Sequence, residues 1–215
     1  MKPQPILILA IIFLSLFAHA NKQKDPTINL ILHKYSAAAG VKAQFVKTDF
    51  KKSLGIKKLS PGVMRYADGK INIELSGEKK SEIIYNGSKL WIIEYPDLDF
   101  DPKAKRKVTE IDNHRPALAE QISGLFQNPN KFLKNFKTVS NKSTKKITTI
   151  VFESKDKVMQ NFQIELNVQK MLINSIQFTD DVQTETRIEF SKTQFLKKPP
   201  EGIFEYKRKK DDEVM

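Results

Sequence analysis

The sequence contains no cysteine. That excludes disulfides, thiol nucleophiles and zinc sites built on thiolates, and it leaves no cysteine to carry a lipid. Histidine is scarce too: of three, His19 falls in the first twenty residues, leaving only His33 and His114. A metal site of the His/Cys kind is therefore not expected. Glycine numbers eight in all, and no glycine-rich phosphate loop or G-x-S-x-G elbow occurs. Asp97-Leu98-Asp99-Phe100-Asp101 begins like a calcium loop. Pro102 then stands where the turn glycine belongs, and Val108 where the closing glutamate should be, so a solvated acidic loop is the better reading. With no nucleophile set beside a base, neither an enzyme nor a cofactor site is expected.

Long apolar runs are missing except at the start. Lys2 precedes the run Ile6–Phe17, and Ala18-His19-Ala20 follows it as a small-x-small cleavage pattern. The run is too short to span a bilayer and polar Asn21-Lys22-Gln23-Lys24 comes next, so residues 1–20 read as a secretory signal peptide cleaved near Ala20. Residues 21–215 are long enough for one domain with its own core. Export without cysteine suits a bacterial periplasm.

What the chain has in excess is positive charge, a formal +12 at pH 7. Such a surface favours anionic partners: phospholipid headgroups or acidic protein patches. Export argues against nucleic acid. The pairs Lys51-Lys52, Lys57-Lys58, Lys79-Lys80, Lys145-Lys146 and Lys197-Lys198 are scattered, as on a solvated face.

Patterning indicates an α+β chain. Asp25-Pro26 suits a helix start, Ile28, Ile31, Leu32 and Tyr35 recur near helical spacing, and Gly40 can end the helix. Strands follow from Lys42: the Ala43–Thr48 alternation, Gly62–Tyr66 after a Ser60-Pro61 break, and Ile71, Ile73 and Leu75 alternating with polar residues. Asp97–Lys107 is polar and looped. Helical spacing returns with Leu118, Ile122, Leu125 and Phe126, and continues through Phe132, Leu133 and Phe136 after Asn128-Pro129-Asn130. Strands close the chain at Ile147–Phe152, Phe162–Val168, Ile173–Phe178, Thr184–Phe190 and Ile203–Tyr206. Short strands joined by tight turns make a large antiparallel sheet, and a sheet of roughly ten twisted strands curls, with helices filling its hollow side.

One stretch breaks the alternation. In "EIIYNGSKLWII", Glu82–Ile93, Asn86-Gly87 is a strong two-residue turn signal, yet the arms Ile83-Ile84-Tyr85 and Leu90-Trp91-Ile92-Ile93 are apolar at nearly every position. Both faces of this hairpin must touch something apolar.

Taken in order, these segments resemble the periplasmic outer-membrane lipoprotein carriers of the LolA type. The likeness runs through "AQFVKTDF", "SPGVMRY", "IIYNGSKLWIIEYP", "RPALAEQISGLF", "VQTETRIEF" and "GIFEY". The resemblance implies an unclosed antiparallel half-barrel of about eleven strands, with a lid of about three helices over an apolar cavity. It implies a monomeric chaperone whose cavity takes the acyl chains of lipoproteins. Its donor would be an inner-membrane ABC-type release complex, and its acceptor an outer-membrane lipoprotein of the same fold. One motif departs: the family has an Arg-Pro pair about six residues after the glycine of its second strand, where the Arg helps hold the lid, and here Asp68-Gly69 occupies that place. Arg65 and Lys70 are the nearby cations.

On this reading the cavity wall comprises Phe45, Met64, Ile71, Ile73, Leu75, Ile84, Leu90 and Trp91, and the lid presents Leu118, Ile122, Leu125 and Phe126. A binder of free phospholipid or glycolipid, and a lipoprotein-sensing regulatory domain on the same half-barrel, are the alternatives.

Overall fold

The computed structural model of the chain describes residues 26–77, 79–112, 123–154, 160–180, 183–199, 201–210 and 212–215. The expected signal peptide and the lid positions Leu118 and Ile122 lie outside the described residues.

Helix α1 (Pro26–Ser36) starts at a proline whose fixed φ suits a first helical turn. It buries Ile31, Leu32 and Tyr35 along one stripe. Gly40 does not cap it but opens β1, where a Cβ would lie 3.2 Å from the Tyr66 carbonyl oxygen. Six strands follow the helix: β1 (Gly40–Lys51), β2 (Ile56–Ala67), β3 (Lys70–Ser76), β4 (Lys80–Tyr85), β5 (Lys89–Glu94) and β6 (Lys107–Asp112). Helical residues 123–127 and α2 (Pro129–Lys134) come next. The chain then forms β7 (Phe136–Ser143), β8 (Ile147–Ser154), β9 (Gln160–Asn167), β10 (Leu172–Thr179), β11 (Thr184–Leu196) and β12 (Glu213–Val214).

All twelve strands belong to one sheet, in the order β12-β6-β5-β4-β3-β2-β1-β11-β10-β9-β8-β7. Two meanders therefore meet at the centre, where β1 and β11 pair from Gly40↔Leu196 to Lys51↔Thr184. Neighbours are antiparallel except β12, which runs parallel to β6. The order ends in β7 on one side and β12 on the other, so the sheet is unclosed, and short helices cover one face. This is the expected half-barrel class, with one short parallel strand added.

Several local expectations need correction. Strand β2 begins at Ile56 and runs through Ser60-Pro61 without a break. Proline is tolerated because β3 pairing starts only at Gly62↔Leu75, so the missing N–H has no ladder partner to lose. Strand β6 lies where no strand was assigned. Phe136 continues the helical spacing of Phe132 and Leu133, yet it opens β7: its ring lies 5.0 Å from both Phe132 and Phe162, bridging helix and sheet. Residues 203–206 form no strand: Phe204 is buried and Tyr206 packs on Trp91, which accounts for their apolar side chains.

The hairpin turn is displaced by one residue. The Asn86 N–H donates to the Lys89 carbonyl, so Gly87 and Ser88 are the central pair, with Gly87 at φ 104°. The Asn86 side chain accepts from the Ser88 and Lys89 N–H groups, holding the turn. This register pairs Tyr85 with Leu90, Ile84 with Trp91 and Ile83 with Ile92. A turn centred on Asn86-Gly87 would instead set Ile84 opposite Lys89. Cross-strand apolar pairing outweighs the local turn preference.

Candidate functional site

Both faces of the sheet carry apolar clusters, and their chemistry differs. The helix-covered face, called inner here, gathers the larger one: α1, residues 123–127 and α2 pack on side chains from β1–β5 and β8–β11. The outer face carries a small cluster of Ile84, Trp91, Ile93 and Val108, with Tyr95 and Tyr206 packed against it.

Phe45, Met64, Ile71, Ile73 and Leu90 all point to the inner face and are buried together with Leu125 and Phe126 of the covering segment. Leu75 packs on the margin of the same cluster. Ile84 and Trp91 do not belong to this wall. They pair with each other one rung from Tyr85↔Leu90, and alternation sends them to the outer face. The Trp91 indole N–H donates to Glu110 at 2.8 Å, and Tyr206 covers the ring at 5.9 Å. Leu90 and Trp91 are adjacent, so alternation cannot place both on one wall, and each face of the hairpin has its own apolar partner.

The inner wall also extends further than expected. Ile150 and Phe152 of β8, Phe162 and Ile164 of β9, and Ile176 of β10 belong to it. Their alternation was visible as strand signal, but nothing local showed that these strands face the same helices as β1–β5. Phe136, Phe152 and Phe162 stack within 6.2 Å of one another, an aromatic lining at the β7–β9 end.

The covering segment plugs this face with one ring. Phe126 lies 4.7 Å from Tyr35 and 5.3 Å from Tyr66, at 1% exposure. Tyr35 is itself held in place, its hydroxyl accepting the Ile173 N–H at 3.0 Å. Burial pushes the Tyr35 phenol up to about 12, against the smaller opposing effect of that hydrogen bond, so the ring is neutral at physiological pH.

Among the described residues, the polar attachment of the covering segment is sparse. The Ser123 hydroxyl, fully buried, donates to the Gly69 carbonyl at 3.4 Å. Gln127 lies over the same glycine, close enough that a Cβ on Gly69 would meet its side-chain amide at 3.0 Å. Asp68 and Gly69 form the β2–β3 turn, with φ 49° and 74°. The pair that replaces Arg-Pro is thus the place where the helical segment docks. Arg65 turns away to the outer face, donating to Asn72 at 3.0 Å and Glu74 at 2.6 Å. A compact turn and a backbone carbonyl stand where an arginine was expected. Downstream, Asn128 caps α2 by accepting the Lys131 N–H, and Gly124 makes room for the Phe132 ring, 2.7 Å from where a Cβ would sit.

The outer cluster is sealed by the C-terminal segment. Arg106 donates twice to Asp212, at 2.7 and 2.6 Å, and Tyr206 and the Lys209 N–H donate to the same carboxylate. Burial pushes the Asp212 carboxyl up, but the donors from Tyr206, Lys209 and Arg106 together overcome it and hold the group at about 2. Glu110 is held below the usual carboxylate range by hydrogen bonds from Lys89 and Trp91.

Among the described residues, no group of three or more His, Cys, Asp or Glu is placed to hold a metal ion. No helix there is long and apolar enough to cross a membrane. What the described part of the site offers is a broad apolar wall under a helical cover held by few polar contacts.

Several solved structures are similar to this chain at very low identity. An uncharacterized conserved protein from Thermus thermophilus is 5% identical with a TM-score of 0.51, covering 88% of this chain and 99% of its own. The LolA superfamily protein NE2245 from Nitrosomonas europaea is 12% identical with a TM-score of 0.41, over 82% and 96%. The Mycobacterium tuberculosis lipoprotein LppX is 8% identical with a TM-score of 0.42, over 78% and 93%. No curated protein matches the chain. The family described as outer membrane lipoprotein carrier protein LolA matches residues 36–207, from the last residue of α1 to the stretch just past Tyr206. By that match the chain belongs to the LolA family of outer membrane lipoprotein carrier proteins.

Proposed function

We propose that this protein is a periplasmic chaperone that shelters the acyl chains of lipoproteins between its inner sheet face and its helical cover, without catalysis. Family membership supports a lipid- or lipoprotein-binding role. The observation that carries the reading further is the way Phe126 and Leu125 fill the inner face. Among the described residues, the Ser123 hydroxyl ties the 123–127 segment to the β2–β3 turn, and Gln127 packs over Gly69.

The energetics suit carriage. Hiding an acyl chain from water is worth about 0.8 kcal/mol per CH₂, so an empty, rigid apolar cavity would bind too tightly to release its cargo. Here the cargo replaces Phe126 and its neighbours, exchanging one apolar contact for another. The net affinity is reduced by the stability of the covered state, and that reduction permits handover. In this scheme an inner-membrane ABC-type complex donates the lipoprotein, a monomer carries it, and an outer-membrane acceptor of the same fold receives it.

A release assay tests this reading. Spheroplasts holding a newly made outer-membrane lipoprotein are incubated with residues 21–215. A soluble one-to-one complex that forms only with the acylated lipoprotein is the expected result. No release, with a fluorescent fatty acid still taken up by the folded protein, would transfer the site to free lipid.

A further inference from the structure

The exposed large apolar side chains are not spread evenly. Leu54, Ile56 and Leu59 are 64%, 54% and 56% exposed, and all three lie at one place, the end of the β1–β2 ribbon. The last rung, Lys51↔Ile56, closes a turn over residues 52–55, with Gly55 at φ 63°. Leu54 sits at its apex, its N–H donating to the Lys51 carbonyl. Ile56 and Leu59 project to opposite faces of β2, so the tip is apolar all round rather than on one side. Lys51, Lys52, Lys57 and Lys58 surround it, every one of them exposed. Lys52 pairs with Glu185 at 3.4 Å, and the nearby Asp49 is engaged by Lys47 and Thr186. Asp180 stands in the adjoining β10–β11 turn, where its carboxylate accepts the Thr184 N–H, so the positive charge of the tip rests on Lys51, Lys57 and Lys58.

On the β2 side the ribbon extends beyond its neighbour: β3 pairing ends at Gly62↔Leu75, leaving residues 56–61 outside that ladder, whereas β11 accompanies β1 as far as Lys51↔Thr184. A second copy of the chain could pair with such an edge. Lys57, Lys58 and Pro61 oppose that, since charge and a missing N–H are what discourage strand addition. An apolar tip ringed by ammonium groups instead matches the boundary of an anionic bilayer, where the apolar side chains sit below the headgroups and lysines reach the phosphates. We propose that the Lys51–Leu59 hairpin is a membrane-docking element that inserts end-on into anionic phospholipid. This goes beyond the carrier reading and is measured without cargo.

The test is co-sedimentation of residues 21–215 with vesicles of phosphatidylglycerol and phosphatidylcholine, and with phosphatidylcholine alone. Binding is expected to the mixed vesicles and to fall with added salt. Lys57→Gln and Lys58→Gln should each weaken it roughly fivefold. Leu54→Ser and Ile56→Ser, both at exposed positions that leave the fold intact, should each weaken it by about tenfold or more. Absence of binding to the mixed vesicles would overturn the proposal, as would equal binding to neutral vesicles or unchanged binding by the leucine and isoleucine variants. Concentration-dependent dimers abolished by those variants would equally overturn it, giving the hairpin to a second copy.

Discussion

At the scale of single residues, two positions carry more than their size suggests. Ser123 provides the hydroxyl that ties the helical cover to the Gly69 carbonyl. A neutral hydrogen bond of this kind contributes about 1 kcal/mol, so Ser123→Ala should raise the population of the uncovered state roughly fivefold. Amide exchange of Leu125 and Phe126 should quicken by that factor while β1 and β11 amides keep their rates; unchanged exchange would remove the hydroxyl from the cover's hold. Gly62 sits under the Phe45 ring, and an added Cβ would meet the Glu74 carbonyl oxygen at 2.4 Å and the ring edge at 2.7 Å. Overpacking of this sort costs about 1–3 kcal/mol. Gly62→Ala should therefore lower the unfolding free energy by an amount in that range, read as a fall in the urea midpoint at an unchanged m-value. These two residues also mark what was legible from the chain alone. Gly62 stood out by its place in "SPGVMRY", as did the Asp68-Gly69 substitution for Arg-Pro. That Ser123 answers that substitution could not be read, since its partner is a backbone carbonyl with no sequence signature.

Among the elements, the β4–β5 hairpin and the C-terminal segment act together. Strand alternation located the inner residues Ile71, Ile73 and Leu90 from sequence, and it should have divided Leu90 from Trp91. The division was hidden because the second face is also apolar, covered by a tail whose segment 203–206 mimics a strand. The tail's hold depends on ionisation. Asp212 is kept near about 2, below the ~3.9 of a free aspartate, so its contribution is complete above about pH 4 and is lost as pH falls toward 2. Tyr206 moves the other way: burial first, then its bond to Asp212, raises it to about 12, so its contribution is present below about pH 10 and is lost as pH rises toward 12. Trp91 emission, sensitive to the Tyr206 ring beside it, should report tail release at both limits. Asp212→Asn should weaken the tail at neutral pH and flatten the acid limb. An acid limb identical to that of the unmodified protein would show that Asp212 does not control the tail.

For the whole molecule, the sheet is a partition with two different sides. Its inner side is broad, apolar and covered by short helices; its outer side is narrow, tied down by Arg106, Asp212 and Glu110, and structural. The class of fold followed from strand count and spacing, whereas the joining of two meanders at β1–β11 did not. That junction pairs residues more than a hundred positions apart, and only the folded chain shows that β8–β10 complete the inner wall. The proposed carriage would place cargo on the inner side alone. A photoactivatable fatty acid, bound in the dark and then cross-linked, reports this directly at residue resolution. Labels on Phe45, Ile73, Leu90, Phe126 and Phe162, with few on Ile84, Trp91 or Tyr206, are the expected result. Labels concentrated on Trp91 and Tyr206, or a pattern unaffected by a competing acylated peptide, would contradict it.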